Sequence, residues 1–212
     1  MRPIFITGIG TGIGKTVVSA IVTQALEANY WKPIQAGIAD GTDASWIQQM
    51  LQGTDCIILP ETYKLELPAS PHIAARNEQK EIDLTKIQAH YSLMQTPERP
   101  LVIEGAGGLM VPLNNNQFVI DLIKILDAQV ILVSRNYLGS INHSLLTAAA
   151  CKAHNLDVAG WIFNDQYMNY EEEIVEWTKY SKLGSIPLTE NLDKNFIFEQ
   201  AKILRPSLSK LL

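Results

Sequence analysis

The sequence predicts an α/β domain in which helices cover both faces of a mostly parallel central sheet. Three observations lead there. Short apolar runs recur along the chain, and they are continuous rather than alternating, as strands buried on both faces must be. Longer stretches with apolar residues at helical spacing separate them. The 212 residues, 47% hydrophobic and 18% charged, are enough for one sizeable core and hardly enough for two. With no repeat, low-complexity tract or linker in view, residues 1–212 read as a single domain.

The elements follow in order. Pro3–Thr7 reads as a buried strand. Lys15–Ala28 reads as a helix, apolar on most faces through Val17, Val18, Ile21, Val22, Ala25 and Leu26. Tyr30–Ile34 is a short strand, Asp43–Leu51 a helix, and Ser70–Asn77 a further helix after "LPASP". Asp83–Met94 fits a helix capped by Asp83. The clearest strand is Leu101–Glu104, "LVIE", ended by "GAGG". Phe118–Leu126 reads as a helix, Gln129–Ser134 as a buried strand, Ser140–His154 as a helix and Val158–Phe163 as a strand. Tyr170–Tyr180 is an amphipathic helix, Leu183–Ile186 a last short strand and Asn195–Leu204 a helix. Right-handed crossovers would set the carboxyl ends of the strands along one edge, where ligands bind in such sheets.

The formal net charge of −5 argues against a broad basic surface for nucleic acid. Cys56 and Cys151 are far apart and match no metal-ligand spacing, so they read as free, buried thiols in a reducing compartment. Met1-Arg2-Pro3 leads directly into the first strand with no signal segment, and no apolar run approaches a membrane span. The expectation is a cytoplasmic protein with neither nucleic acid nor membrane as a partner.

The stretch "TGIGTGIGKT", Thr7–Thr16, has the look of a phosphate-binding loop with unusual spacing. The pattern G-x-x-x-x-G-K-[ST] requires glycine at position 9, where Ile9 stands between Gly8 and Gly10. The loop is one residue longer than the pattern, but its physics is intact. Glycines after a strand let backbone N–H groups turn inward. The helix that starts near Lys15 turns its positive end toward the same cavity. Lys15 supplies a cation for the β- and γ-phosphates, and Thr16 a hydroxyl for Mg²⁺. A dinucleotide fold would lack the GKT ending and would want an acid after the second strand, which here runs into "WKPIQAG".

Glu104, at the end of "LVIE", projects from the sheet edge as a metal-holding acid would, and the glycines behind it suggest close approach of a ligand or another backbone. Asp43 taken alone reads better as a helix cap. Lys32 is open between a structural strand end and a functional cation. His72 and His143 read as packing or capping residues, and Asn164-Asp165 as a turn. His90, His154 and "YEEEIVEW" read as solvated helix faces.

Taken together, "TGIGTGIGKT", "KPIQAG", "TDAS", "SPHIAA", "VIEGAGGLMVPL", "LGSINHSLLT", "AGWIFND" and "GSIPL", in that order, resemble the ATP-dependent dethiobiotin synthetase family nearly end to end. The longer loop is a trait of that family. The resemblance implies a homodimeric P-loop enzyme using ATP and Mg²⁺ to join 7,8-diaminononanoate and CO2 into a cyclic urea. It implies catalytic roles for Lys15, Lys32 and Thr11, and places Mg²⁺ on Thr16, Asp43 and Glu104. Nucleotide contacts would come from Gly12, Ile13, Gly14, Lys15, Thr16 and Val17, with Asn164 at the adenine edge and Ile186, Pro187 and Leu188 beside it. Substrate contacts would come from Lys32, Gln35, Ala36, Gly107 and Gly108. Leu138, Gly139, Ser140, Ile141 and Asn142 would hold the substrate carboxylate at a helix N-terminus presented across the dimer interface.

The chain departs from the family pattern at several points. Gly12 stands where many relatives carry an acid, and Gln35-Ala36 stands where others have a small residue followed by a hydroxyl residue. The connection "EANYWKP" is short, and Arg135 and Tyr137 occupy a segment where a lysine is common. The rivals are weaker. Partition or septum-positioning ATPases carry an extra lysine early in the loop, and positions 8–14 have none. Amide-forming ligases of cobalamin synthesis need a glutaminase domain for which there is no room. A degenerate nucleotide binder would not be expected to keep Lys15, Thr16, Lys32, Asp43 and Glu104.

Overall fold

The computed structural model describes residues 1–94, 98–165 and 167–212. Seven strands form one parallel sheet: β1 (Ile4–Gly8), β2 (Asn29–Trp31), β4 (Ile58–Leu59), β6 (Leu101–Glu104), β7 (Gln129–Arg135), β8 (Val158–Asn164) and β9 (Lys182–Ile186). Their spatial order is β4-β2-β6-β1-β7-β8-β9. Ile4 of β1 registers with Val102 on one side and Gln129 on the other, so β1 lies mid-sheet. Two more strands, β3 (Ile34–Ala36) and β5 (Tyr63–Leu65), form a separate parallel pair.

Successive side chains of a strand point to opposite faces. Phe5, Ile103, Leu132 and Phe163 enter the core on one face. That face is covered by α3 (Pro71–Asn77), α4 (Leu84–Met94), α5 (Val119–Ile125), α6 (Ser140–Ala153) and α7 (Glu171–Thr178), through residues such as Ala74, Ile87, Ile123, Ala148 and Ile174. Ile4, Ile6, Val102, Ile131, Val133 and Ile162 enter the core on the other face, against α1 (Lys15–Ala25), α2 (Asp43–Met50) and α8 (Lys194–Leu208). The expected two-sided α/β domain is what the chain forms, and its continuous apolar strands are the cause.

Four features differ from the sequence expectation. The strand expected over Tyr30–Ile34 is broken, because Pro33 has no N–H for a ladder; β2 ends at Trp31 and β3 begins at Ile34 in another sheet. The strands β4 and β5 are too short to show a pattern. Helix α1 stops at Ala25, and Glu27 takes a left-handed φ of 52° as the chain turns toward β2. Helix α8 runs through Pro206 to Leu208, because buried Leu204 and Leu208 offset the one lost helical bond. Asp83 does precede α4 as expected, its Oδ1 accepting the Thr85 N–H at 2.8 Å.

Both thiols are free. Cys151 is buried, whereas Cys56 is only half-buried, which corrects the expectation for that residue. Burial raises their pKa values to about 12 and about 11 respectively. Among the described residues no helix is long and apolar enough to cross a membrane.

Candidate functional site

The site lies at the carboxyl edge of the sheet, where β1, β2, β6 and β8 end. After Gly8 the chain loops to Gly14, which takes a φ of 88° and delivers Lys15 as the first residue of α1. A Cβ on Gly14 would fall 1.9 Å from Asn164 Nδ2, so sterics and backbone both exclude a side chain there. Asn164, at the end of β8, donates from Nδ2 to the Ile13 carbonyl at 3.0 Å and ties that strand to the loop. The glycines behind Glu104 admit another backbone: a Cβ on Gly108 would sit 3.1 Å from the Gly8 carbonyl.

Lys15 Nζ donates to the Gly10 carbonyl at 2.7 Å, folding the side chain back over its own loop. Burial lowers its pKa to about 8; Lys32 pushes the same way, while Glu104 and Asp43 oppose. Thr16 Oγ1 lies 2.9 Å from Asp43 Oδ1 and 3.0 Å from Glu104 Oε1. Lys32, between β2 and β3, is buried and donates to Asp43 Oδ2 and, at 3.0 Å, to Glu104 Oε1. Burial alone would lower the Lys32 pKa, but the charges of Glu104 and Asp43 and hydrogen bonds to both raise it above the ordinary value. Lys32 is therefore a buried, paired ammonium at the carboxyl edge of the sheet. Glu104 is no exposed strand end, being 1% accessible, and Tyr30 OH donates to its Oε2 at 2.9 Å. Burial and then the Glu104 charge push the Tyr30 phenol well above its usual range, so it stays a donor.

Asp43 is not the cap of α2. That role belongs to Thr42, whose Oγ1 accepts the Ser45 N–H at 3.1 Å while Thr42 N–H donates to Ser45 Oγ at 3.0 Å. The Asp43 carboxylate is thereby free to face Thr16 and Lys32. The Gln35 side chain supports the turn, accepting the Asp43 N–H at 3.3 Å and donating to the Gly37 carbonyl at 2.9 Å.

One cleft of about 740 Å³ takes in Thr11, Gly12, Gly14–Val17, Lys32, Gln35, Ala36, Asp43, Glu104 and Gly107, but neither Gly108 nor Asn164. Its far wall is Pro68-Ala69-Ser70-Pro71 with Ile34, Ala106 and Val111, which the sequence reading did not assign to the site. The available signal was "LPASP", read only as a helix approach. Ile13 contributes its carbonyl, its side chain being in the core. Ile186 is likewise a core side chain at the end of β9, its carbonyl accepting from the Asp165 N–H at 3.1 Å, whereas Leu188 is exposed.

None of Leu138–Asn142 is among the residues lining this cleft. Leu138 is 89% exposed, Gly139 precedes α6 with a φ of 103°, and buried Ser140 Oγ lies 2.6 Å from Tyr170 OH. The histidines hold local contacts: His72 with Ser70 Oγ, His143 with Tyr137 OH, His90 with Thr62 Oγ1 and His154 with Lys124 Nζ. Arg135 faces Asp165 at 3.5 Å.

Among the described residues no group of three or more His, Cys, Asp or Glu converges to hold a metal ion. What converges is a hydroxyl and two carboxylates, all hard oxygen donors. The Thr16 hydroxyl has one proton to share between two carboxylate oxygens, and a cation would relieve the remaining oxygen–oxygen contact. Such a set suits Mg²⁺, which takes one or two carboxylates and completes its shell with water and phosphate oxygens.

A family model described as an AAA domain matches residues 2–195. Among solved structures, a chain of the MinC:MinD cell division protein complex from Aquifex aeolicus superposes with a TM-score of 0.61 at 14% identity, covering 100% of this chain and 95% of that one. A ParA family ATPase from Chlorobium tepidum gives 0.57 at 14% identity, covering 99% and 96%. At that identity the likeness shows the fold alone, a P-loop nucleoside-triphosphatase fold. Curated relatives are far more similar. ATP-dependent dethiobiotin synthetase BioD of Cytophaga hutchinsonii is 48% identical, covering 93% of this chain and 94% of the relative. Its counterpart in Christiangramia forsetii is 44% identical, covering 98% of both chains. With this degree of identity over nearly its whole length, the chain belongs to the ATP-dependent dethiobiotin synthetase family.

Proposed function

We propose that the protein joins 7,8-diaminononanoate and CO2, at the expense of ATP, to give dethiobiotin, ADP and phosphate. One substrate amine attacks CO2 and loses a proton, giving a carbamate. A carbamate oxygen attacks the γ-phosphorus and ADP leaves. The second amine then attacks the carbamoyl carbon of the mixed anhydride, phosphate departs with the C–O bond pair, and loss of a proton completes the cyclic urea.

The observation that carries this reading is the gathering of two buried lysines, two carboxylates and a threonine hydroxyl in one cleft, with Lys32 paired to both carboxylates. A carbamate and a triphosphate repel each other, so the transfer depends on cations between them and on fixed positions. Lys15 would neutralise the phosphates, and Lys32 would hold the carbamate. Thr11, which lines the cleft, would donate to the transferring group. The loop N–H groups from Gly12 to Val17 would cradle the phosphates, and Asn164 would meet the base. Thr16, Asp43 and Glu104 would hold Mg²⁺, whose contribution is neutralisation of charge on the phosphate oxygens. Gln35 and Ala36 would flank the substrate together with Gly107 and Gly108.

The reading extends to a cytoplasmic homodimer. Leu138, Leu146 and Met110 are 89%, 61% and 52% exposed, which supports Leu138–Asn142 serving the partner's substrate rather than this chain's. A nucleotide-driven switch is the second reading, favoured by the shared fold of the MinD and ParA structures.

Purified protein mixed with the diamine, bicarbonate and Mg-ATP tests both. Dethiobiotin detected by mass spectrometry in step with ADP is the expected result. ADP released without dethiobiotin, at a rate indifferent to the diamine, would sink the synthetase reading and favour the switch.

A further inference from the structure

We infer that Tyr30 is a positioning residue for the metal site: its phenol fixes which oxygen of Glu104 faces the cleft. The inference rests on the proposed metal role of Glu104. Tyr30 lies on β2 in register with Val102 of β6. Glu104 follows Val102 by two residues, so it leaves β6 on the same face, one pair nearer the carboxyl edge. Tyr30 and Val102 are both 0% exposed, packed on the α1 side of the sheet.

The contacts divide the carboxylate in two. Glu104 Oε2 takes the Tyr30 O–H at 2.9 Å. Glu104 Oε1 takes Thr16 Oγ1 at 3.0 Å and Lys32 Nζ at 3.0 Å. A carboxylate held this way offers one oxygen to a cation and keeps the other engaged in the interior. Removing the phenol would leave a buried oxygen without its donor and free the group to rotate. Donors of this kind behind a metal ligand commonly set metal affinity by about 10- to 100-fold. Among the described residues Asp43 shows no such inner support, its two oxygens facing Thr16 and Lys32.

Tyr30→Phe is the test, because it keeps the ring in its packed position. ADP affinity is measured by calorimetry in EDTA and across a Mg²⁺ series, for wild type, Tyr30→Phe and Glu104→Gln. The expected result for Tyr30→Phe is an unchanged ADP affinity in EDTA and a Mg²⁺ half-saturation raised by about tenfold. An unchanged Mg²⁺ half-saturation beside a raised one in Glu104→Gln overturns the inference and leaves the metal role standing. Equal loss of ADP affinity with and without Mg²⁺ also overturns it, since that marks a general packing role. If Glu104→Gln leaves the Mg²⁺ dependence untouched, the metal role of Glu104 falls, and the inference with it.

Discussion

Lys32 is held by two carboxylates inside the cleft that Lys15 also lines. Replacing it with alanine leaves those carboxylates without their cation and, on the proposed reading, the carbamate without its partner. The expected outcome is a fall in turnover of about 10²- to 10³-fold with ADP affinity nearly kept, read by steady-state kinetics and calorimetry; wild-type turnover would refute the placement. Lys15 carries a pH dependence. Its pKa is about 8 in the free protein against 10.5 for an ordinary lysine, so between these values the unfolded chain holds a proton that the folded chain lacks. Its contribution to stability accordingly rises with pH across that window. Triphosphate beside it would restore the proton, so nucleotide binding at pH 8.5 should take up protons and weaken as the pH rises further. Calorimetry in two buffers of different ionisation enthalpy checks this, and a buffer-independent heat would contradict it. Residue types and spacing made Lys15, Thr16 and Glu104 legible on their own. Asp43 was ambiguous, because an acid at the first residue of a helix looks like a cap until Thr42 is seen to fill that role. Tyr30 was not legible at all, since nothing in the sequence marks a phenol as partner of a carboxylate 74 positions away.

The elements that could be read ahead of the structure are those long enough to show a period: β1, β6, β7, β8 and the larger helices. Strands of two or three residues, β4 and β5, carry no period and went unseen. The break at Pro33 matters more, because it ends β2 and turns Lys32 and Gln35 into the cleft instead of along the main sheet. The loop between β1 and α1 depends on a contact between elements, the close approach of Asn164 to Gly14. Gly14→Ala brings a Cβ against that amide and asks alanine to adopt a φ of 88°. A loss of about 1–3 kcal/mol is expected from the backbone strain alone, with more from the collision. Asn164→Ala in the same chain should remove the collision but not the strain, so the double variant should lose less than the sum of the two singles. Urea denaturation of the four proteins measures this, and strict additivity would rule out the steric coupling.

The molecule as a whole shares its architecture with MinD and ParA structures at 13–16% identity, so the sheet and helices do not choose the chemistry. On the proposed reading the choice lies in groups added at the carboxyl edge, and one of them is displaced from the rest. Leu138–Asn142 lie outside the cleft of their own chain, although the family resemblance gives them the substrate carboxylate. A two-fold dimer reconciles these facts, because each cleft would then be completed by the other subunit's α6. The consequence can be tested by subunit complementation. Asn142, exposed near the start of α6, changed to aspartate sets a negative charge against the carboxylate it would serve. Asn142→Asp and Lys32→Ala homodimers should both be nearly inactive. A heterodimer of the two, isolated through a different tag on each chain, carries both changes in one site and neither in the other. It should recover about half the wild-type activity. A heterodimer as inactive as its parents would mean that each cleft works with its own α6, and a chain that stays monomeric in solution would remove the premise.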